Sequence, residues 1–258
     1  MTKIILGSIS FTPQSFATAQ RTIVTQLVQP DAQPLMITYL NAFTYCMAIH
    51  NERLRNIINK SQIILADGTS IVQAVAFLHR IKLDRCIMTH AFDDFICLKK
   101  KPKCTAILIG GTLENALFAK NAINKVAHNL QITEALSGYM DEAYYKDFFR
   151  GRKEKYDILL VGMGTPKSEF LFDSEIIRNK VKIIWHIGGG TIDCFAGIKR
   201  RAPQWISKIG MEWCHRFIFE PHTRMRYIKT NFLFVILMIK EKIKNYFSST
   251  ALNHQKQT

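Results

Sequence analysis

YDILLVGMG, residues 156–164, is the stretch that decides the fold. Its apolar run shows no polar alternation and stops at glycine, which suits a strand buried on both faces, as in a parallel sheet. The same pattern recurs in TAILIGG (105–111) and KIIWHIGGG (182–190). Helical spacing follows two of them, over 113–130 and 168–179. In the first, Leu113, Ala116, Leu117, Ala119, Ala122, Ile123, Val126 and Ala127 fall close to a 3.6-residue period. Upstream, MITYLNAF (36–43) and QIILADG (62–68) read as strands, with helices over 51–59 and 69–79. This alternation predicts an α/β fold: a Rossmann-like parallel sheet flanked by helices. Glycines at the carboxyl ends of such strands lie on the edge where α/β proteins bind ligands. Neither GxGxxG nor GxxxxGKS is complete in any of the three loops.

Beyond Gly197 the alternation stops. Residues 1–195 read as the Rossmann-like domain and 196–258 as a basic helical appendage. A basic amphipathic helix is expected from His222 to about Phe247, with a frayed polar tail over 248–258. The appendage also carries most of the charge. The net charge is +15, and residues 195–258 hold twelve Lys/Arg against Glu212, Glu220 and Glu241, so nine of the fifteen positive charges lie there. Nucleic acid, an anionic membrane or a phosphorylated substrate all suit such a surface, as does plain solvation. The longest uninterrupted apolar run, 232–239, is eight residues, far short of the roughly twenty that span a bilayer. Basic residues flank it on both sides, which fits either an interfacial helix or a core helix packed on the sheet domain. The six cysteines form no CxxC pair and read as free thiols of a reducing cytosol.

Asp67 ends an apolar run ahead of Gly68 and a helix start. A carboxylate there can act as general base or cap the next helix. Asp193 follows Gly188–Gly190 in the same manner. Asp93 and Asp94 read as a solvated helix face, and His90, His186 and His215 lack metal-ligand spacing. No metal site is read. Arg200, Arg201, Arg216, Arg224 and Arg226 outnumber the acids around them, and arginine suits bidentate phosphate recognition.

Read in order, ADGTSIV (66–72), DRC (84–86), LIGG (108–111), SGYM (137–140), VGMGTPKSE (161–169), GGGTIDCFAG (188–197), RAPQW (201–205), MEWCHR (211–216) and EPHTRMRY (220–227) resemble the WecG/TagA/CpsF glycosyltransferases. The resemblance covers about residues 36–228. It implies an inverting enzyme that moves an N-acetylmannosamine-type sugar from UDP to a polyprenyl-diphosphate-linked GlcNAc. It also implies a C-terminal appendage that completes the site and contacts the membrane. By the same resemblance Asp67 is the base, and Asn41, Arg85, Arg216, Arg224 and Arg226 bind substrate. Gly110, Gly111, Gly164, Lys167, Glu169, Gly189, Asp193 and Arg201 complete the expected binding set.

The expected partners are the UDP-sugar donor, the lipid-diphosphate acceptor and an anionic membrane surface met by the 222–247 helix, with oligomerisation left open. Nucleic acid is not expected. Transfer is expected without a metal or other cofactor, at the inner face of the cytoplasmic membrane. Two departures from the family pattern stand out. Ser168 replaces a glutamine, and Met88-Thr89-His90 stands where Gly-x-Asp is usual. They keep a catalytically silent scaffold as an alternative, and the basic C-terminus keeps a nucleic-acid binder as a more distant one.

Overall fold

The computed structural model describes residues 3–29, 33–200 and 224–255, with residues 203, 206 and 218 between the last two segments. In chain order its elements are β1 (Ile4–Leu6), β2 (Ile9–Phe11), α1 (Phe16–Val28), β3 (Leu35–Leu40), α2 (Ala42–His50), α3 (Glu52–Lys60), β4 (Ile63–Ala66), α4 (Thr69–His79), α5 (Met88–Ile96), β5 (Cys104–Ile109), α6 (Leu113–Val126), β6 (Leu130–Leu136), α7 (Glu142–Arg150), β7 (Tyr156–Val161), α8 (Lys167–Phe170), α9 (Glu175–Arg178), β8 (Val181–His186), α10 (Gly189–Phe195) and α11 (Arg224–Gln255).

Six strands form one parallel sheet in the order β4-β3-β8-β7-β5-β6. The five apolar runs of the sequence supply its central and left-hand strands, as expected for strands buried on both faces. Successive residues alternate between two cores. Ile37, Leu65, Leu108, Ile158, Leu160 and Trp185 point to one face, under α1, α5, α6 and α10. Ile107, Ile109, Leu159, Val161 and Ile184 point to the other, under α7 and α9. Leu40, Ile64 and Ala66 share that second face with α2, α4 and the β1–β2 hairpin.

Four expectations change. The helix expected over 168–179 is two short helices, α8 and α9, separated by a 3-10 turn at Leu171–Asp173 and by extended Ser174, which caps α9. The helix expected over 113–130 stops at Val126, because Leu130–Leu136 is the edge strand β6. Residues 42 and 43, read as strand, start helix α2, since the Asn41 side chain accepts the Thr44 N–H and caps it. The C-terminal helix does not fray at Phe247 but runs to Gln255.

Helix α11 buries Phe234 and Met238 in the core shared with α2 and α4, and Phe234 meets Tyr45 edge to face at 5.3 Å. Leu237 packs partly buried beside them, and much of the remaining apolar content faces outward. Met225, Ile228, Phe232, Val235, Ile239, Ile243 and Tyr246 are exposed, and their three- and four-residue spacing makes them one stripe. Among the described residues no helix is long and apolar enough to cross a membrane.

Candidate active site

Because all six strands are parallel, their carboxyl ends share one edge of the sheet, and Asn41, Asp67 and the glycine loops lie along it. Asn41 follows β3 and Asp67 follows β4, and the Asp67 N–H donates to the Leu40 carbonyl at 2.9 Å. Capping fixes the Asn41 amide. Its Oδ1 accepts the Thr44 N–H at 2.9 Å, so its Nδ2 is left to donate to Asp67 Oδ2 at 3.3 Å. The other carboxylate oxygen, Oδ1, accepts the Met88 N–H at 3.4 Å.

Asp67 therefore does not cap the helix that follows it. The N-cap of α4 is Gly68, which makes no side-chain cap bond. The carboxylate instead faces the first turn of α5, twenty-one residues downstream, where exposed N–H groups favour negative charge. Asp67 also pairs as a parallel bridge with Cys86, which sets Arg85 beside the same strand end. Half-buried Asp67 and Asn41 thus meet at one mouth, with half-buried Arg85 next in the chain to the bridge residue Cys86. The start of α11 borders it: Arg226 lies 5.2 Å from the Phe43 ring and Asn231 Oδ1 accepts from the Ser70 hydroxyl at 3.5 Å.

On the β5–β8 side the glycines do a different job. A Cβ on Gly110 would sit 2.6 Å from the Gly162 carbonyl oxygen and overlap the Ile192 side chain, and one on Gly138 would sit 2.7 Å from the Gly110 Cα. These loops are nested against one another, and glycine is there because the backbones touch. Gly110 is buried within that seam, while Gly111, Gly164 and Gly189 are partly exposed at its rim. Lys167 is exposed. Asp193 is held in an ion pair with Lys199 at 3.0 Å. Arg224 donates to the Ile218 carbonyl at 3.0 Å. Arg201 and Arg216 lie outside the described residues.

Glu169 stands behind this surface rather than on it. It is 0% exposed, and its Oε1 accepts from the Thr165 hydroxyl at 3.0 Å and faces His186 Nδ1, also at 3.0 Å. Burial pushes its carboxyl upward, but the charge and hydrogen bond of His186, with the Thr165 bond, outweigh this and hold it below the ordinary carboxylate value. The second nitrogen of the imidazole, Nε2, is 3.4 Å from the Tyr39 hydroxyl, and the two rings are tilted by 36° with centroids 4.5 Å apart. Sequence reading left Tyr39 and His186 out of the site. They lie 147 residues apart, and no local motif joins them. Ser168, the departure from the glutamine, is also buried and accepts the Met163 N–H at 3.0 Å, so it braces its own loop.

The profile of the glycosyl transferase WecG/TagA/CpsF family matches residues 4–248. Two proteins of Staphylococcus aureus, from strains MRSA252 and NCTC 8325 / PS 47, are each 25% identical over 244 residues. The match covers 94% of this chain and 95% of each relative. Both relatives carry the name N-acetylglucosaminyldiphosphoundecaprenol N-acetyl-beta-D-mannosaminyltransferase.

Proposed function

This chain belongs to the WecG/TagA/CpsF family of glycosyl transferases, and we propose that it moves an N-acetylmannosamine-type sugar, ManNAc or a ManNAcA-like relative, from UDP to a polyprenyl-diphosphate-linked GlcNAc in surface-polysaccharide synthesis. The observation that carries this reading is the Asp67 carboxylate, held at the open mouth of β3 and β4 by Asn41 and the Met88 amide. In the proposed step Asp67 takes the proton of the acceptor hydroxyl as that oxygen attacks the anomeric carbon. UDP leaves from the opposite face with the bonding electrons, so the configuration inverts. The β-linkage in the relatives' names supports a single displacement from an α-linked donor. The departing diphosphate gains charge, and Arg85, Arg226 and the rim amides of the glycine loops are the groups available to stabilise it. No metal takes part in the proposed step.

The acceptor's lipid lies in a bilayer, and the outward stripe of α11 gives the reading a way to reach it. Apolar side chains from Met225 to Tyr246, beside Lys229, Lys240 and Lys244, suit an anionic interface, where each cation adds about 1 kcal/mol. The protein is then peripheral on the inner face of the cytoplasmic membrane.

One assay tests the whole reading. UDP release is followed with a panel of UDP-N-acetylhexosamines and their uronic acids, using lipid-diphosphate-GlcNAc in anionic vesicles, with and without chelator. Asp67→Asn is run beside the wild type. Acceptor-dependent release with one donor is expected, resistant to chelator and reduced about 10³-fold in the variant. A folded Asp67→Asn protein with wild-type turnover would remove Asp67 as base. No release with any donor would remove the transfer reaction as written.

A further inference from the structure

Strand β4 is an outer strand of the sheet, and a cavity of about 230 Å³ opens along its free edge. The transfer step above makes no use of it. We propose that this cavity is a second sugar site, which binds an N-acetylhexosamine through the unpaired backbone of β4. It lies outside the Asp67 mouth, and only the choice of an N-acetylated sugar rests on the transferase reading.

The direction of the backbone groups carries the argument. The Asp67 N–H points inward to β3, where it donates to the Leu40 carbonyl at 2.9 Å. The Ala66 carbonyl points the other way and accepts the Cys86 N–H, also at 2.9 Å. In a strand the N–H and C=O of one residue share a side, and the side changes at each residue. The Ala66 N–H and both backbone groups of Ile64 therefore point to the free edge. The chain over 84–86 meets β4 at one bridge, Cys86 with Asp67, and leaves those three groups uncovered. Ile64 and Ala66 are buried and line the cavity. Among the described residues no hydrogen bond reaches the three groups. Buried backbone groups without a partner are rare, and the cavity is where a partner can stand.

The lining sets the class of that partner. Two N–H donors and one C=O acceptor in line suit a ligand that both donates and accepts, as hydroxyl and amide groups do. A phosphate only accepts. Lys82 and Asp84 at the rim carry opposite charges that cancel, so the site favours a neutral ligand. With Gln14 they have no hydrogen-bond or ion-pair partner among the described residues and can turn to sugar hydroxyls. Phe11 and Leu83 supply an apolar wall for an acetyl methyl. The volume, about 230 Å³, is below the ~300 Å³ at which drug-sized ligand sites begin. That suits one sugar ring rather than a nucleotide sugar.

Saturation-transfer NMR on the full chain tests this with methyl N-acetyl-β-glucosaminide, methyl N-acetyl-β-mannosaminide and, as control, methyl β-glucoside. At least one acetamido probe should bind with a Kd of about 1 mM, its acetyl methyl carrying the strongest signal. The glucoside should bind about tenfold more weakly. Thr18→Phe, which puts a ring into the cavity from α1, should abolish binding, and Asp67→Asn should leave it unchanged. Equal binding of the glucoside, wild-type binding in Thr18→Phe, or loss of binding in Asp67→Asn overturns the proposal. Should Thr18→Phe fail to fold, Gln14→Ala combined with Asp84→Ala should weaken the probe about tenfold, and unchanged affinity overturns the site. The acceptor assay then names the sugar's source. A raised KM for lipid-diphosphate-GlcNAc in Thr18→Phe, with kcat unchanged, makes the cavity the acceptor's own seat, and an unchanged KM makes it a site for a separate sugar. Absence of transfer with the binding results intact overturns the transferase reading alone. No binding of either acetamido probe overturns this proposal alone.

Discussion

The two halves of the sheet reach the same edge by opposite means. At β3 and β4 the strand ends are polar and open: Asn41 and Asp67 face each other at 3.3 Å, and a Cβ on Gly68 would meet nothing within 4 Å. At β5 to β8 the strand ends are glycines pressed together, with Gly110 against the Gly162 carbonyl and Ile192 wedged between them. A glycine after a parallel strand can therefore mean room for a ligand or want of room for a side chain, and a sequence does not say which. The difference assigns chemistry to the open half and rigidity to the closed one. The buried Glu169–His186 pair ties the two, since it joins the loop after β7 to the Tyr39 side chain on β3.

That tie is the place to break the comparison hardest. Glu169→Gln keeps the shape and removes the charge that faces His186. Breaking one partner of such a buried pair costs about 3 kcal/mol, read as a lower midpoint in denaturant at neutral pH. The pH dependence follows from the depressed carboxyl. The folded state holds the Glu169 proton less tightly than the unfolded chain does. The pair's stabilisation is therefore complete above the ordinary carboxylate value of 4.5 and is lost as pH falls through the lower folded value. Glu169→Gln should lack that part of the acid slope. A variant as stable as the wild type, with the same acid slope, would show that the pair does not tie the halves.

A smaller cost is expected at the seam itself. Gly110→Ala drives a methyl into the Gly162 backbone, which cannot rotate away as a side-chain tip can. Overpacking of this kind costs about 2 kcal/mol, seen as a fall in melting temperature without change in UDP affinity per folded molecule. Unchanged stability would mean the loops separate easily and the closed half is not closed.

Legibility in the sequence follows the same division. The five apolar runs that end in polar or glycine residues were readable because burial on both faces leaves a continuous signal in β3, β4, β5, β7 and β8. Strand β6 is not legible, since over 131–136 Gln131, Thr133 and Glu134 break the apolar run and an edge strand carries only half that signal. Asn41 and Asp67 were legible as candidates, but their partnership was not. Asp67 takes its amide from Met88, at the start of a different helix from the one that its own position suggests. The Glu169–His186–Tyr39 contact is not legible for a plainer reason: His186 comes beside Tyr39 only through the pairing of β8 with β3, strands far apart in the chain.

The mildest test asks whether the rim of the closed half shares in binding. Gly190 lies one residue into α10, and a Cβ there would meet nothing within 4 Å. In a helix alanine is preferred to glycine by up to about 1 kcal/mol, so Gly190→Ala should melt at or slightly above the wild-type temperature. The same methyl that is harmless to the fold would stand where a diphosphate is expected to approach the backbone. Weaker UDP binding in a protein of undiminished stability would extend the open mouth from β3 and β4 across to β8. Unchanged binding would confine the nucleotide to the half that carries Asp67.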